Sequence, residues 1–281
     1  MSHPIRTADV VVAGVRSLVR SGGPEDASEA VVFVHGNPGS SEDFADLLTP
    51  VSGFARVLAP DMPGYGKADR PRNFPYTVEG YATHLGGLLE QQGVRRTHLV
   101  LHDFGGPWGL AWAATHPEQV ASITLFNVGV MRGYRWHKFA RIWRTPILGE
   151  LFQLTTSRLM LKVALNADNP RPLPDAFIER MYRDADWPMK RAVLALYRAT
   201  GDLGGMGERL AEALGPHRFP ALVLWGDGDK YVPVRYAKEQ TEFFDAQVHV
   251  LEGCGHWPMI DDPERVRELL VPFLRAQLGA T

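Results

Sequence analysis

Residues Leu99 to Gly109 read LVLHDFGGPWG. An apolar run ends at a histidine and an acid, and two glycines and a proline follow immediately. Proline in a first turn starts a helix without losing a hydrogen bond, and PWGLAWAATHPEQV continues with helical character. The stretch therefore reads as strand, tight turn and helix, with Asp103 on the turn.

The same alternation runs outward in both directions. Upstream, TADVVVAGVRSLVR alternates like one or two edge strands, and EAVVFVHG is a dense β-branched run of the kind buried on both faces of a parallel sheet. SSEDFADLLTPV reads as a helix capped by Ser40 or Ser41, ARVLAPD as a strand, TVEGYATHLGGLLEQQG as a helix and THLVLHD as a strand. Downstream, ASITLFNV is another strand. From about Met131 to Gly215 strand runs give way to helical patterns such as RWHKFARIWR and DAFIERMYRDA. Alternation resumes with PALVLWGDGD, RYAKEQTEFF, AQVHVLEGCGH and a closing helix, PERVRELLVPFLRAQL. Strands alternating with helices predict an α/β fold, a mostly parallel central sheet flanked by helices. The interruption predicts an inserted helical cap, residues 131–215, on a core of residues 1–130 and 216–281.

Composition narrows the function. The 281 residues are 45% hydrophobic and 22% charged with a formal net charge of -2, without the basic excess of a nucleic-acid binder. One cysteine, Cys254, supports no disulfide framework and reads as a small packing residue. The N-terminal MSHPIRTADV lacks the apolar centre of a signal peptide, and no apolar run reaches membrane-spanning length. The expectation is a cytoplasmic protein, monomer or homodimer, acting on a small molecule with neither nucleic acid nor membrane as partner.

Three post-strand loops carry the chemistry: HGNPGS, HDFGG, and the late pair GDGDKYVP and GCGHWP. Ligands of open parallel sheets bind beyond the carboxyl ends of the strands, so these loops are expected to meet. Nucleophile after a strand, then a late acid, then a late histidine is the order of the α/β-hydrolases, which the chain resembles along nearly its whole length. HGNP, DMPGYGKADRP, HDFGG and GHWP resemble the signatures of the branch with an aspartate nucleophile, the epoxide hydrolases and haloalkane dehalogenases. The resemblance implies Asp103 as nucleophile, His256 as base and Asp229 as its partner, with no cofactor and no metal. Gly105 and Gly106 relieve the elbow, although Leu101 stands where a small residue is usual. The helix start should favour an ionised Asp103, and the N–H groups of Asn37 and Phe104 would form an oxyanion hole worth roughly 3 kcal/mol per donor.

A carboxylate suits saturated carbon. Attack on an acyl group gives an anhydride that expels it again, whereas attack on an epoxide or haloalkane gives a stable alkyl ester for water to cleave. Asn37 resembles the halide-holding asparagine of dehalogenases. Phe104 stands where those enzymes carry an indole, and Trp108 lies a helical turn further on. RAVLALYRAT resembles the epoxide hydrolase segment in which a cap tyrosine protonates the epoxide oxygen, here Tyr197, and Tyr134 or His137 would be the second donor. The expectation is an epoxide hydrolase on a small hydrophobic substrate. The alternatives are a haloalkane dehalogenase and a non-catalytic ligand-binding relative. Each residue also has a plainer reading: Asp103 as a helix cap, His256 as a loop histidine, Asp227 in place of Asp229, Tyr197 as packing, His98 and His102 as a ligand-like spacing that no other strong ligand accompanies and so no metal site, and GDLGGMG as no phosphate loop.

Overall fold

The computed structural model describes residues 4–279; the first three residues of the MSHPIRTADV stretch lie outside them. Eight strands form one sheet: β1 (Arg6–Val12), β2 (Val15–Gly22), β3 (Glu29–Val34), β4 (Arg56–Pro60), β5 (Arg96–His102), β6 (Val120–Phe126), β7 (Pro220–Gly226) and β8 (Asp245–Leu251). Their order is β1-β2-β4-β3-β5-β6-β7-β8. β1 pairs antiparallel with β2, and β2 with β4, while the other pairs are parallel. This is the expected α/β-hydrolase architecture. The edge strands join through Ala13 and Gly14, both at positive φ, the two-residue turn whose twist matches a hairpin.

Burial follows the residue patterns. β6, VASITLF, is buried at every position, whereas β1 is buried only at Val10 and Val12. The first is covered by helices on both faces and the second lies at an edge. Before the insertion come α1 (Ala45–Ser52), α2 (Val78–Gln91) and α3 (Gly105–Thr115). α1 is preceded by a 3-10 turn, Ser41–Phe44, capped by Ser40. Between β6 and β7 there is no strand. Six helices fill the interval: α4 (Lys138–Arg144), α5 (Leu148–Thr155), α6 (Arg158–Asp168), α7 (Asp175–Asp184), α8 (Trp187–Ala199) and α9 (Leu203–Leu214). The glycine-rich GDLGGMG opens α9. After β7 come α10 (Arg235–Glu239), shorter than its sequence pattern because RYAKEQTEFF tightens into a 3-10 turn, then α11 (Pro258–Asp261) and α12 (Pro263–Leu278). Among the described residues no helix is long and apolar enough to cross a membrane.

Strand register brings the loops together. Val34 pairs with Leu101, His102 with Phe126, Phe126 with Leu224, and Gly226 with Leu251. The carboxyl ends of β3, β5, β6, β7 and β8 therefore end nearly level. The chain also reverses direction here: from β3 it moves outward to β4 and then returns to β5 on the other side. That switch point opens the crevice in which α/β sheets bind ligands.

Candidate active site

Asp103 sits at the elbow between β5 and α3 with φ of 49°, a left-handed conformation that costs a non-glycine residue on the order of 1–3 kcal/mol. Packing explains how it persists. A side chain at Gly105 would strike the Val34 carbonyl, and one at Gly109 would strike the Leu101 side chain. The large residue before the elbow is thus accommodated by a missing side chain on the following helix. The carboxylate does not cap α3, which has no side-chain cap. Instead Oδ1 accepts the Asn37 N–H at 2.6 Å, and Oδ2 lies 3.3 Å from His256 Nε2.

The structure sets Asp229, not Asp227, against the histidine. His256 Nδ1 lies 2.8 Å from Asp229 Oδ2, and Asp229 Oδ1 accepts the N–H groups of Tyr231 and Val232 at 2.7 and 3.0 Å. Asp227 accepts the Gly253 N–H in an exposed turn. His256 is thus a buried imidazole between two carboxylates. Burial pushes its pKa down, but Asp229 and Asp103 outweigh this and lift it to about 10. Burial pushes Asp103 up, and hydrogen bonding and charge from His256, with the Asn37 N–H, hold it at about 2. Asp229 likewise lies below the ordinary carboxylate value against its burial, held by His256 and Asn127. The ionised Asp103 owes its charge state chiefly to the histidine.

Asn127 is a residue that sequence reasoning missed. It follows β6 at φ 51° and is fully buried. Its Nδ2 donates to Asp229 Oδ2 at 2.6 Å and to the Gly255 carbonyl at 3.0 Å, and its Oδ1 accepts the Gly226 N–H. One amide therefore ties the end of β6 to the acid loop and the histidine loop. Its only sequence signal is an asparagine, tolerant of positive φ, at the end of the run ASITLFN.

Two cavities meet at Asp103. One, of about 200 Å³, is lined by Asn37, His256, Phe139, Trp143, Phe152 and Leu161, among others. The other, of about 30 Å³, is lined by Phe104, Met131, Tyr134, Trp136 and Leu203, among others. Asp103, His137, Tyr197 and Tyr231 line both. Tyr197, on α8, is buried and lies edge-on to Phe104 at 5.1 Å. Burial first, and then the nearby Asp103, raise its pKa well above the usual phenol value, so it stays protonated. Arg144 at the end of α4 donates to the carbonyls of Tyr197 and Thr200, fixing the end of α8. No sequence pattern suggested that contact.

The two candidate second donors separate. The Tyr134 hydroxyl donates to the Tyr231 carbonyl at 3.0 Å, so its proton is already committed, which corrects its candidacy. His137 caps α4 by accepting the Ala140 N–H at Nδ1, and burial lowers its pKa to about 4. A neutral ring that accepts at Nδ1 carries its proton on Nε2, leaving a donor in the cavity wall. Tyr231, which nothing in GDGDKYVP singles out, stands between His137 and His256 with ring centroids 5.2 and 5.1 Å away. The Asn37 side-chain amide is buried next to the Tyr197 phenol, whose pKa it pulls down. Trp108 lines neither cavity and stacks on Tyr81 at 4.1 Å. His98 is held by Ser122 and Glu29, and His102 Nε2 by the His256 carbonyl.

Comparison with known proteins bears on the fold. Residues 29–263 match the family described as alpha/beta hydrolase fold. A 2-hydroxy-6-oxononadienedioate/2-hydroxy-6-oxononatrienedioate hydrolase of Burkholderia vietnamiensis is 28% identical over 280 residues, covering 95% of this chain and 94% of that protein. Among solved structures, the haloalkane dehalogenase DbeA from Bradyrhizobium elkani is similar with a TM-score of 0.85 at 23% identity, covering 99% and 100% of the two chains. The epoxide hydrolase CorEH is similar with a TM-score of 0.82 at 19% identity, covering 98% and 100%. At these identities the structural likeness concerns the fold alone.

Proposed function

This chain belongs to the α/β-hydrolase fold family, and from that premise we propose that it is an epoxide hydrolase that forms and cleaves an alkyl ester on Asp103. The observation that carries the reading is the shared cavity wall of a carboxylate, a protonated phenol and a charge-paired imidazole, Asp103, Tyr197 and His256. The oxo-diacid named for the Burkholderia relative is a poor guide, because no lysine or arginine lines the larger cavity to meet its carboxylates. A carboxylate nucleophile also returns from an acyl group unchanged.

The steps balance. Asp103 Oδ2 attacks an epoxide carbon while its Oδ1 stays on the Asn37 N–H. The C–O bond breaks, and the oxygen takes the Tyr197 phenolic proton, with the His137 Nε2–H as second hydrogen-bond donor. Asp103 is now a neutral ester, so His256 has lost one of its two anionic neighbours. Its pKa falls, and its proton restores the phenol. Neutral His256 then takes a proton from water as that water adds to the ester carbon, whose oxygen is held by the Asn37 N–H. The alkyl C–O bond to the product stays intact and the acyl C–O bond breaks. The diol leaves with the acid proton, regenerating Asp103 carboxylate and His256 imidazolium.

A haloalkane dehalogenase is the second reading, favoured by the buried Asn37, which lines the larger cavity with Asp103 and would offer its side-chain amide to a departing halide. An aryl epoxide and a 1-bromoalkane, incubated separately with the protein, distinguish the two. Diol without bromide is expected, and bromide without diol would sink the epoxide reading. His256→Gln should trap the ester, giving an intact mass raised by that of the substrate. An accepted substrate that leaves no adduct would count against covalent catalysis.

A further inference from the structure

The two cavities that meet at Asp103 differ severalfold in size, at about 200 and about 30 Å³. Resting on the epoxide reading above, we infer that they sort the substituents of the two epoxide carbons by bulk. The substrate class is apolar epoxides that carry one large substituent and, on the other carbon, hydrogen or methyl.

Magnitudes decide the assignment. A cavity of about 150 Å³ lined by apolar side chains is enough to bind benzene, so the larger cavity admits a phenyl group with a short extension. Its walls fit that group, with Phe139, Trp143, Phe152, Leu161 and Leu165 among them. Enclosing one water takes roughly 10–15 Å³ of such space, so the smaller cavity holds one or two waters or a methyl-sized group. It cannot enlarge easily. Phe104 and Trp136 close it as near-parallel rings, centroids 6.3 Å apart, and Tyr134 is pinned by its bond to the Tyr231 carbonyl.

The partition is also thin. Tyr134, Trp136 and Leu203 line both the small cavity and an open depression of about 400 Å³ that includes Arg135, Arg141 and Asp202. Leu203, at the start of α9, carries no hydrogen-bonding group. Its side chain is thus the simplest barrier between a methyl-sized chamber and open space.

Three epoxides measure the sorting: styrene oxide, trans-β-methylstyrene oxide and trans-stilbene oxide, each followed by diol formation. The expected kcat/KM values of the first two lie within about tenfold of each other, and that of stilbene oxide is at least a hundredfold lower. Leu203→Ala should raise the ratio of stilbene oxide to styrene oxide at least tenfold. Leu203→Val, a smaller excision, should raise it by less and serves if the alanine protein does not fold. Stilbene oxide turned over within tenfold of styrene oxide overturns the inference, as does an unchanged ratio in both folded variants. Diol from none of the three, with bromide from a 1-bromoalkane, would instead remove the epoxide reading on which it rests.

Discussion

His256 holds its proton because two carboxylates flank it, and one of them is the proposed nucleophile. In the free protein its pKa is lifted to about 10, while Asp103 is held at about 2. In the proposed mechanism ester formation removes the Asp103 charge, so the histidine becomes a base at the step that needs one. Alkylation should therefore be nearly flat from pH 5 to 8 in single-turnover experiments, because Asp103 is ionised throughout. Ester hydrolysis should rise with pH through a value well below 10, and a rise centred at 10 would deny the coupling. Asn127→Asp places a second anion beside Asp229 and removes a donor from it. That change should lower kcat about tenfold or more and shift the pH profile, whereas a merely structural asparagine would alter stability alone. Phe104→Trp supplies the indole N–H that Phe104 lacks, and bromide release from a bromoalkane should increase relative to diol formation. An unchanged ratio would mean that this side chain does not meet the leaving group.

Among the elements, β5 and α3 were legible because their signal is contiguous: an apolar run, an acid, two glycines and a proline. Asp103 stood out for the same reason, whereas Asp229 and His256 could be named only through the resemblance of GDGDKYVP and GCGHWP to the loops of the family's late acid and histidine. What could not be read depends on contacts between distant segments. Asn127 reaches the loops after β7 and β8 from the end of β6, and Arg144 on α4 holds the last turn of α8. Tyr134 and His137 lie three positions apart, and only the fold shows that one donates its hydrogen bond to the Tyr231 carbonyl while the other keeps a donor. Where a side chain's hydrogen goes is a property of the packed structure, which residue spacing does not encode. The Arg144 contact yields its own expectation. Arg144→Leu should loosen the Tyr197 backbone, lowering kcat severalfold in diol formation while the Asp103–His256 pair still forms ester. Tyr197→Phe, by contrast, should slow alkylation by an epoxide far more than alkylation by a bromoalkane, because only the former needs a proton. Equal losses with the two substrates would leave Tyr197 a packing residue.

At the scale of the molecule, the helical segment between β6 and β7 is fastened to loops of the core by charge as well as by apolar contact. Arg180 on α7 pairs with Asp43 and lies 3.7 Å from Glu42, Lys67 pairs with Asp184, and Arg70 with Asp186. Of these, Asp43 is the most deeply buried. Burial raises its pKa to about 7, against the opposing pull of Arg180 and the Ser40 N–H. A carboxyl whose folded pKa exceeds its unfolded value contributes stability that is fully present below the unfolded pKa, about 3.9, and is lost as pH rises through the folded one. Removing the guanidinium moves the folded pKa further up, because the buried anion then has no cation beside it. Arg180→Ala should therefore cost about 3 kcal/mol at pH 8, in the range for breaking a buried pair. At pH 5, where Asp43 would be protonated in the variant, the cost should be much smaller. Denaturant titrations of both proteins at the two pH values measure this difference, and an equal or larger loss at pH 5 would contradict it. If the insertion is what separates the cavities from solvent, the variant should also lose turnover more steeply at pH 8 than at pH 6, beyond the change seen in the parent protein. In the variant, ionisation of an Asp43 left without its cation would then link closure over Asp103 to pH through a residue that touches no substrate.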